Sequence, residues 1–231
     1  HLSYEIIMVD DGSTDDSWDE IIRLSKANDA IHGIRFRRNY GKSAALYCGF
    51  KKAAGDVVVT MDADLQDFPE EVPAMYEMIV GEKWDIVSGW KQHRQDNALT
   101  KNLPSKLYNA TARRITGIKL HDMNCGLKAY RNEVIKDIEV YGEMHRYIPY
   151  LAKNAGYTRI TEKPTRHAKR KFGKSKFGMN RFVNGFLDLL SLWFLSTFGK
   201  KPMHFFGYSG ILTFLIGFIM TIWIIVDKLV A

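Results

Sequence analysis

Apolar and polar positions along the first 160 residues alternate in short blocks of two kinds. Glu5-Ile6-Ile7-Met8-Val9 and Asp56-Val57-Val58-Val59-Thr60-Met61 are compact, β-branched runs that read as buried strands. A weaker strand is expected at 33–36 and another at 84–88. Between them, Ser43 to Ala54 has helical spacing and is stopped by Gly55, while Pro69 and Glu70 open a helix that ends near Gly81. The turn Asp10-Asp11-Gly12-Ser13-Thr14-Asp15 passes into a further helix through a Ser/Asp cap. Strand and helix in alternation imply an α/β fold with a mostly parallel sheet. Ligands of such sheets bind beyond the carboxyl ends of the strands, where both acidic clusters of this chain fall.

The pattern changes twice downstream. Residues 163–180 carry cations and glycines and read as a mobile loop, with Gly173 and Gly178 as its pivots. Residues 181–199 are rich in Phe, Leu and Trp, yet Asn184, Asp188 and Ser191 recur at helical spacing, giving one polar stripe. A core helix can look like this, but a helix of this kind behind a cationic loop also fits a membrane interface. The next segment favours the interface, since residues 205–226 hold no Asp, Glu, Lys or Arg and are long enough to span a bilayer. Lys200, Lys201 and the cationic loop precede the span, so the positive-inside bias puts the N-terminal domain in the cytoplasm.

Charge sharpens this division. The net charge is +7, and eight cations lie between Lys163 and Arg181 with no acidic residue among them. Without those eight the balance would be −1, so the basicity is local, and no nucleic-acid partner is expected. The two cysteines, Cys48 and Cys125, lack metal-ligand spacing and fit a reducing compartment.

Candidate chemistry centres on Asp62-Ala63-Asp64-Leu65-Gln66-Asp67. Two carboxylates at i and i+2 at a strand's end point to one side and call for a cation. Hard oxygen ligands select Mg²⁺ or Mn²⁺, commonly shared with substrate phosphates. A bare Asp-x-Asp fits a solvated acidic loop equally well, and only its context decides. Asp67 is expected to cap the helix begun by Pro69. His121 reads as a structural residue, whereas Glu143, His145 and Arg146 fit an exposed face or an acceptor entrance equally well.

Five segments, in order, resemble the polyprenyl-phosphate branch of glycosyltransferase family 2, which includes dolichol-phosphate mannose synthases and bacterial undecaprenyl-phosphate sugar transferases. They are Val9 to Asp15, Arg38 to Lys42, Asp62 to Asp67, His121 to Arg131 and Arg170 to Gly178. The resemblance implies a GT-A fold over 1–162, a nucleotide-sugar donor (UDP- or GDP-linked) and a polyprenyl phosphate acceptor. It places Asp10, Asp11, Asn39, Lys42, Asp62 and Gln66 at the donor, with Asp62, Asp64 and Gln66 on a Mg²⁺ or Mn²⁺ ion. Lys91, Lys101, Ser105, Arg170, Ser175 and Lys176 are implied for the acceptor phosphate. Asp62, Asp64, Lys91 and Arg170 form the implied catalytic set. Relatives often have Arg at the Lys91 position, so this chain keeps the charge but loses a bidentate contact.

A lipid monophosphate is already anionic at neutral pH and needs no protein base to attack an anomeric carbon. Charge neutralisation and orientation are then the protein's task, and a single in-line displacement inverts the anomeric centre. Family members normally begin with a Pro-x-Tyr-Asn-Glu-like strand and often have a second membrane helix, so the sequence reads as a fragment of a longer protein. The apolar third zone would support self-association in membranes. Two other readings compete. A processive polysaccharide synthase would normally show a Gln-x-x-Arg-Trp motif and a Glu-Asp base motif, and this chain has neither. A non-catalytic membrane module that binds a nucleotide sugar or lipid remains the third. A dinucleotide oxidoreductase is disfavoured, because no Gly-x-Gly-x-x-Gly follows the first strand.

Overall fold

The computed structural model describes residues 2–91, 109–168, 187, 190, 191, 193–195, 197–199 and 201–230. The chain divides into two compact units, His1–Met179 and Asn180–Ala231.

In the first unit, β1 (Ile6–Asp10) and β2 (Ile31–Arg35) pair in parallel, from Ile6 opposite Ile31 to Asp10 opposite Arg35. Helix α1 (Ser17–Ala27) makes the crossover, with Trp18, Ile21, Ile22 and Leu24 half-buried on its inner face. The Asp16 side chain makes no capping bond; Asp15 instead accepts hydrogen bonds from the backbone N–H and hydroxyl of Ser17. Helix α2 (Lys42–Lys52) follows β2.

A second sheet has the order β3-β5-β4-β6, formed by β3 (Val57–Thr60), β4 (Ile86–Lys91), β5 (Lys128–Arg131) and β6 (Ile160–Thr165). Strands β3, β4 and β6 run the same way, and β5 lies antiparallel between β3 and β4. The sheet is therefore mixed, its reversed strand being one that the hydrophobic pattern did not predict. Lys-Ala-Tyr-Arg lacks an apolar run, yet Lys128, Ala129 and Tyr130 are fully enclosed because β5 is central. Helix α3 (Val72–Val80) follows a 3₁₀ turn at Pro69–Glu71 and covers one face of the sheet. Its Met75 and Ile79 pack with Val87, Cys125, Leu127 and Ala129, which supplies the hydrophobic stabilisation of this half. On the opposite face Tyr130 meets Phe50 of α2 edge-to-face, ring centroids 5.5 Å apart. Short helices α4 (Asn132–Asp137) and α5 (Ile148–Asn154) complete the core.

One expected boundary is corrected. Residues 163–165 are not loop but the end of β6, in register with Gly89, Trp90 and Lys91 of β4. Strand pairing and an ion pair to Glu71 hold Lys163 in the domain despite its cationic neighbours.

In the second unit, helix α6 spans Pro202–Val230, enclosing the expected 205–226 span. At ~1.5 Å per residue its 29 residues extend about 43 Å, more than the ~30 Å hydrocarbon core of a bilayer. Its most apolar window has a mean hydropathy of 2.4 and no buried residue, so length and composition allow it to cross a membrane. The Thr213 and Thr221 hydroxyls donate to backbone carbonyls one turn back, Ser209 at 2.9 Å and Gly217 at 2.8 Å, which keeps them satisfied without water. Among residues 187–199, the described positions up to Phe198 are helical. Asn184 and Asp188 of the expected polar stripe lie outside the described residues.

Candidate active site

The site is built where β1, β3 and β4 end. Asp10, the last residue of β1, is buried; its Oδ1 accepts the Ser13 N–H at 2.9 Å, and its Oδ2 lies 3.7 Å from Arg35 Nε. Asp11 accepts two backbone N–H bonds, from Tyr40 at 2.7 Å and Gly41 at 2.9 Å. Gly12, at φ +73°, touches the same loop so closely that a Cβ would lie 2.5 Å from the Arg38 carbonyl carbon. The acidic turn and residues 38–41 are thereby one body, which leads straight to Lys42 at the start of α2. Asn39 on this loop is exposed.

Lys42 meets the second acidic cluster. Its Nζ donates to Asp62 Oδ1 at 2.5 Å. Asp62 and Asp64 lie beyond the last residue of β3, so strand alternation does not orient them. The turn itself does: Asp64 Oδ1 accepts the Gln66 N–H at 3.2 Å, and Leu65 adopts φ +58°. A non-glycine residue held in that region costs on the order of 1–3 kcal/mol, and such strain collects at functional sites. Gly126 forms the wall behind Asp62; a Cβ there would come within 2.4 Å of Asp62 Oδ2. Below that wall, buried Lys128 donates to the carbonyls of Met123 (3.3 Å) and Cys125, and burial pushes its pKa down. Asp122, also buried, accepts the Asn124 N–H at 3.1 Å. Lys128 supports this loop although sequence reasoning gave it no role.

His145 joins from a 3₁₀ turn. Its N–H donates to Ser43 Oγ, and its Nδ1 lies 3.0 Å from the same oxygen. With the backbone already donating, the hydroxyl proton is directed to Nδ1. Burial, with the nearby charges of Arg146 and Lys42, pushes the imidazole pKa down to about 4, so it is neutral at pH 7.

Beyond Asp64 the chain is clasped to the segment after β6. Gln66 donates its side-chain amide to the Ala168 carbonyl at 3.1 Å and lies 3.3 Å from His167 Nε2, and its backbone carbonyl accepts the Ala168 N–H. Its amide nitrogen is therefore engaged away from the two aspartates. Asp67 does not cap a helix: Phe68 holds the N-cap position without a side-chain bond. Asp67 is buried instead, 3.2 Å from Lys91 Nζ and 3.5 Å from His167 Nδ1. Burial alone would raise its pKa, but the His167 contact and the Lys91 charge together hold it below the usual carboxylate value. Glu71 closes the clasp by accepting from Lys163 and from Arg166 Nε at 3.0 Å; these two cations outweigh its desolvation and lower its pKa. On the β4–β6 edge, His121 stacks on Trp90 with centroids 4.3 Å apart and pairs with Glu162.

The expected residues thus fall into three groups. Lys42, Asp62, Asp64 and Gln66 are linked through the turn after β3, and Lys91 joins through Asp67. Asp10, Asp11 and Asn39 flank Lys42 through the 38–41 loop. Lys101, Ser105, Arg170, Ser175 and Lys176 lie outside the described residues. Lys128, His167 and Glu71 are polar residues that spacing did not single out for this site, whereas His145, open between an exposed face and an acceptor entrance, is half-buried on Ser43. His145, His167 and Glu71 lie far in sequence from what they touch, so no local pattern could report them, whereas Lys128 bonds carbonyls three and five residues back and only its burial in a central strand was hidden.

Among the described residues no three His, Cys, Asp or Glu side chains converge as a ready metal cluster. Two carboxylates of which one already draws the Lys42 ammonium, in a cradle kept open by Gly126, nonetheless fit a divalent cation whose other ligands come from a bound diphosphate.

An α/β sheet with acidic turns at its carboxyl edge defines the class, that of the GT-A glycosyltransferases. Solved structures agree: glucosyl-3-phosphoglycerate synthase from Mycobacterium tuberculosis, in complex with phosphoglyceric acid, matches with a TM-score of 0.57 at 21% identity, over 83% of this chain and 68% of that one. A mannosyltransferase from Pyrobaculum calidifontis, in complex with GDP-Man and Mn²⁺, matches at 0.56 and 18% identity, over 82% and 53%. Residues 1–139 match the glycosyl transferase family 2 model, and the chain belongs to that family. It is 38% identical over 210 residues to a dodecaprenyl-phosphate galacturonate synthase from Rhizobium johnstonii, covering 90% of this chain and 62% of the relative. It is 36% identical over 228 residues to an undecaprenyl-phosphate 4-deoxy-4-formamido-L-arabinose transferase from Salmonella paratyphi B, covering 98% and 67%. The chain thus spans about two thirds of the length of these curated relatives.

Proposed function

We propose that this chain carries the catalytic part of a transferase that moves a sugar from a UDP- or GDP-sugar to a polyprenyl phosphate, with inversion, at the cytoplasmic face of the inner membrane. The observation that carries this reading is the 36% identity that runs through both units to a relative named for sugar transfer to undecaprenyl phosphate. Solved neighbours bound to Mn²⁺ with UDP-glucose or GDP-Man support the donor class and the metal.

Asp10, Asp11 and Asn39 bind the nucleoside, and Lys42 approaches the diphosphate. Asp62 and Asp64, with Gln66 through its free amide oxygen, hold Mg²⁺ or Mn²⁺. When bound, that ion neutralises charge on the departing diphosphate. Lys42 supplies a countercharge to Asp62 before donor arrives and turns to the diphosphate afterwards. The acceptor phosphate is gathered by Lys91, Lys101, Ser105, Arg170, Ser175 and Lys176, of which Lys91 and Arg170 are also catalytic. One phosphate oxygen attacks the anomeric carbon as the bond to the diphosphate breaks. No proton is removed in this step, since the acceptor is already an anion, so His145 need not act as a base. Helix α6 would anchor the chain in the bilayer that carries the acceptor's lipid tail.

A panel of radiolabelled sugar nucleotides, offered with undecaprenyl phosphate to the full-length protein in detergent, tests the reading. The expected result is an organic-extractable, lipid-linked sugar. Label found only on a growing glycan would point to a processive synthase. Nucleotide binding without any product would point to a non-catalytic module.

A further inference from the structure

We propose that Asp67 is a positioning residue for Lys91, and that His167 holds Asp67 in place for that task. The proposal rests on the reading of Lys91 as an acceptor-phosphate residue and adds how that lysine is held.

The observation behind it is a concentration of unpaid polar burial. Five buried side-chain atoms lack a hydrogen bond among the described residues, and four of them lie together: Asp67 Oδ1 and Oδ2, Thr165 Oγ1 and His167 Nδ1. The Asp67 side chain is 1% exposed; Lys91 Nζ lies 3.2 Å and His167 Nδ1 3.5 Å from its Oδ1, and neither carboxylate oxygen has a well-formed hydrogen bond. Thr165 stands opposite Lys91 in the β4–β6 register, and Asp67 forms an isolated antiparallel bridge with His167.

A carboxylate retained for stability is normally satisfied by backbone N–H groups, as Asp11 is. Asp67 has none among the described residues. A buried ion pair also adds little net stability, because desolvation offsets its attraction. Stability alone therefore does not account for the arrangement, and it sits two residues from the strained Leu65. What it achieves is restraint. Lysine is a point charge on a flexible four-carbon stem, and ordering that stem costs free energy when a phosphate arrives. Asp67 meets that cost during folding by fixing the ammonium at the end of β4. Three N–H groups leave Lys91 free to donate to a phosphate while it stays paired.

The sign of the effect is diagnostic. If Asp67 only repelled the phosphate, removing its charge would improve acceptor binding. The test uses the full-length protein in detergent with Asp67→Asn, His167→Gln, Lys91→Gln and the double variant Asp67→Asn/Lys91→Gln. Asp67→Asn is expected to raise KM for undecaprenyl phosphate by about fivefold or more while the donor KM stays within about twofold. The double variant should be no worse than Lys91→Gln alone, because the two residues act as a unit. A second readout needs no turnover: acylation of Lys91 by an amine-reactive ester, followed by mass spectrometry, should speed up in Asp67→Asn and, less so, in His167→Gln. Thermal unfolding identifies any variant that fails to fold, in which case His167→Gln decides by the same criteria. An acceptor KM that is unchanged or lower, additive effects in the double variant, or unchanged Lys91 acylation would each overturn the proposal. Faster acylation in Asp67→Asn with no lipid-linked product from the wild type would uphold the pairing and overturn the acceptor assignment itself.

Discussion

Asp62 is enclosed by an ammonium on one side and a glycine on the other. Lys42 holds Oδ1 at 2.5 Å, and at Gly126 there is no room for even a methyl group beside Oδ2. Gly126→Ala must therefore displace the Asp62 carboxylate or the 123–127 loop. The expected outcome is a loss of kcat of about a hundredfold, the size associated with a misplacement near 1 Å, with far-UV circular dichroism unchanged. His145 gives a pH signature. Its folded pKa, about 4, lies below the ordinary histidine value, so the unfolded chain binds the proton more readily. The stabilisation is complete above about pH 6.5 and is lost as pH falls towards 4, on the order of 3 kcal/mol across that window. His145→Gln should flatten this part of the pH profile of thermal unfolding. At this scale the sequence was informative about identity and silent about partners. Asp62 and Asp64 could be picked out because two carboxylates after a β-branched run are unusual. Asp67 was misassigned as a cap because its partners, Lys91 and His167, are 24 and 100 positions away.

Elements were legible where apolar residues form a compact β-branched run, as in β1 and β3, or where helical spacing or start and stop residues mark a helix, as in α2 and α3. Strand β5 was not, since its central position depends on neighbours from both sides and its lysine is buried by the loop it supports. The clasp between 66–71 and 163–168 was equally invisible, because cations near the end of β6 look like the start of a basic loop. Its strength can be measured at Glu71, which is buried against Lys163 and Arg166. Glu71→Gln leaves two cations without their carboxylate and should cost about 1–3 kcal/mol at pH 7, scaled to charged hydrogen bonds. Because the folded pKa of Glu71 is depressed, its contribution is present above the ordinary glutamate value and disappears as pH falls through the folded one. The stability gap between wild type and Glu71→Gln should therefore close in acid, as denaturant titrations at several pH values would show.

For the whole molecule, the acidic turns of one unit and the apolar helix of the other are the two features on which the proposed transfer to a lipid phosphate rests. The helix was readable from composition alone, because 25 residues from Pro202 to Val226 hold no Asp, Glu, Lys or Arg, whereas the acidic site was readable only from the Asp-x-Asp motif in its context. A charge at the helix centre tests the membrane half. Ile216→Arg should cost about 2.5–3.5 kcal/mol on insertion scales and move protein from the carbonate-resistant membrane fraction to the soluble or aggregated one. Retention unchanged would argue against a span. The central claim joins the two halves, and transfer of radiolabelled sugar from a sugar nucleotide to undecaprenyl phosphate tests it most directly, run with Mn²⁺, with a chelator, and in Asp64→Ala. A lipid-linked product that requires the metal and disappears in Asp64→Ala is expected; a product that forms equally well with the chelator, or that persists in Asp64→Ala, would contradict it.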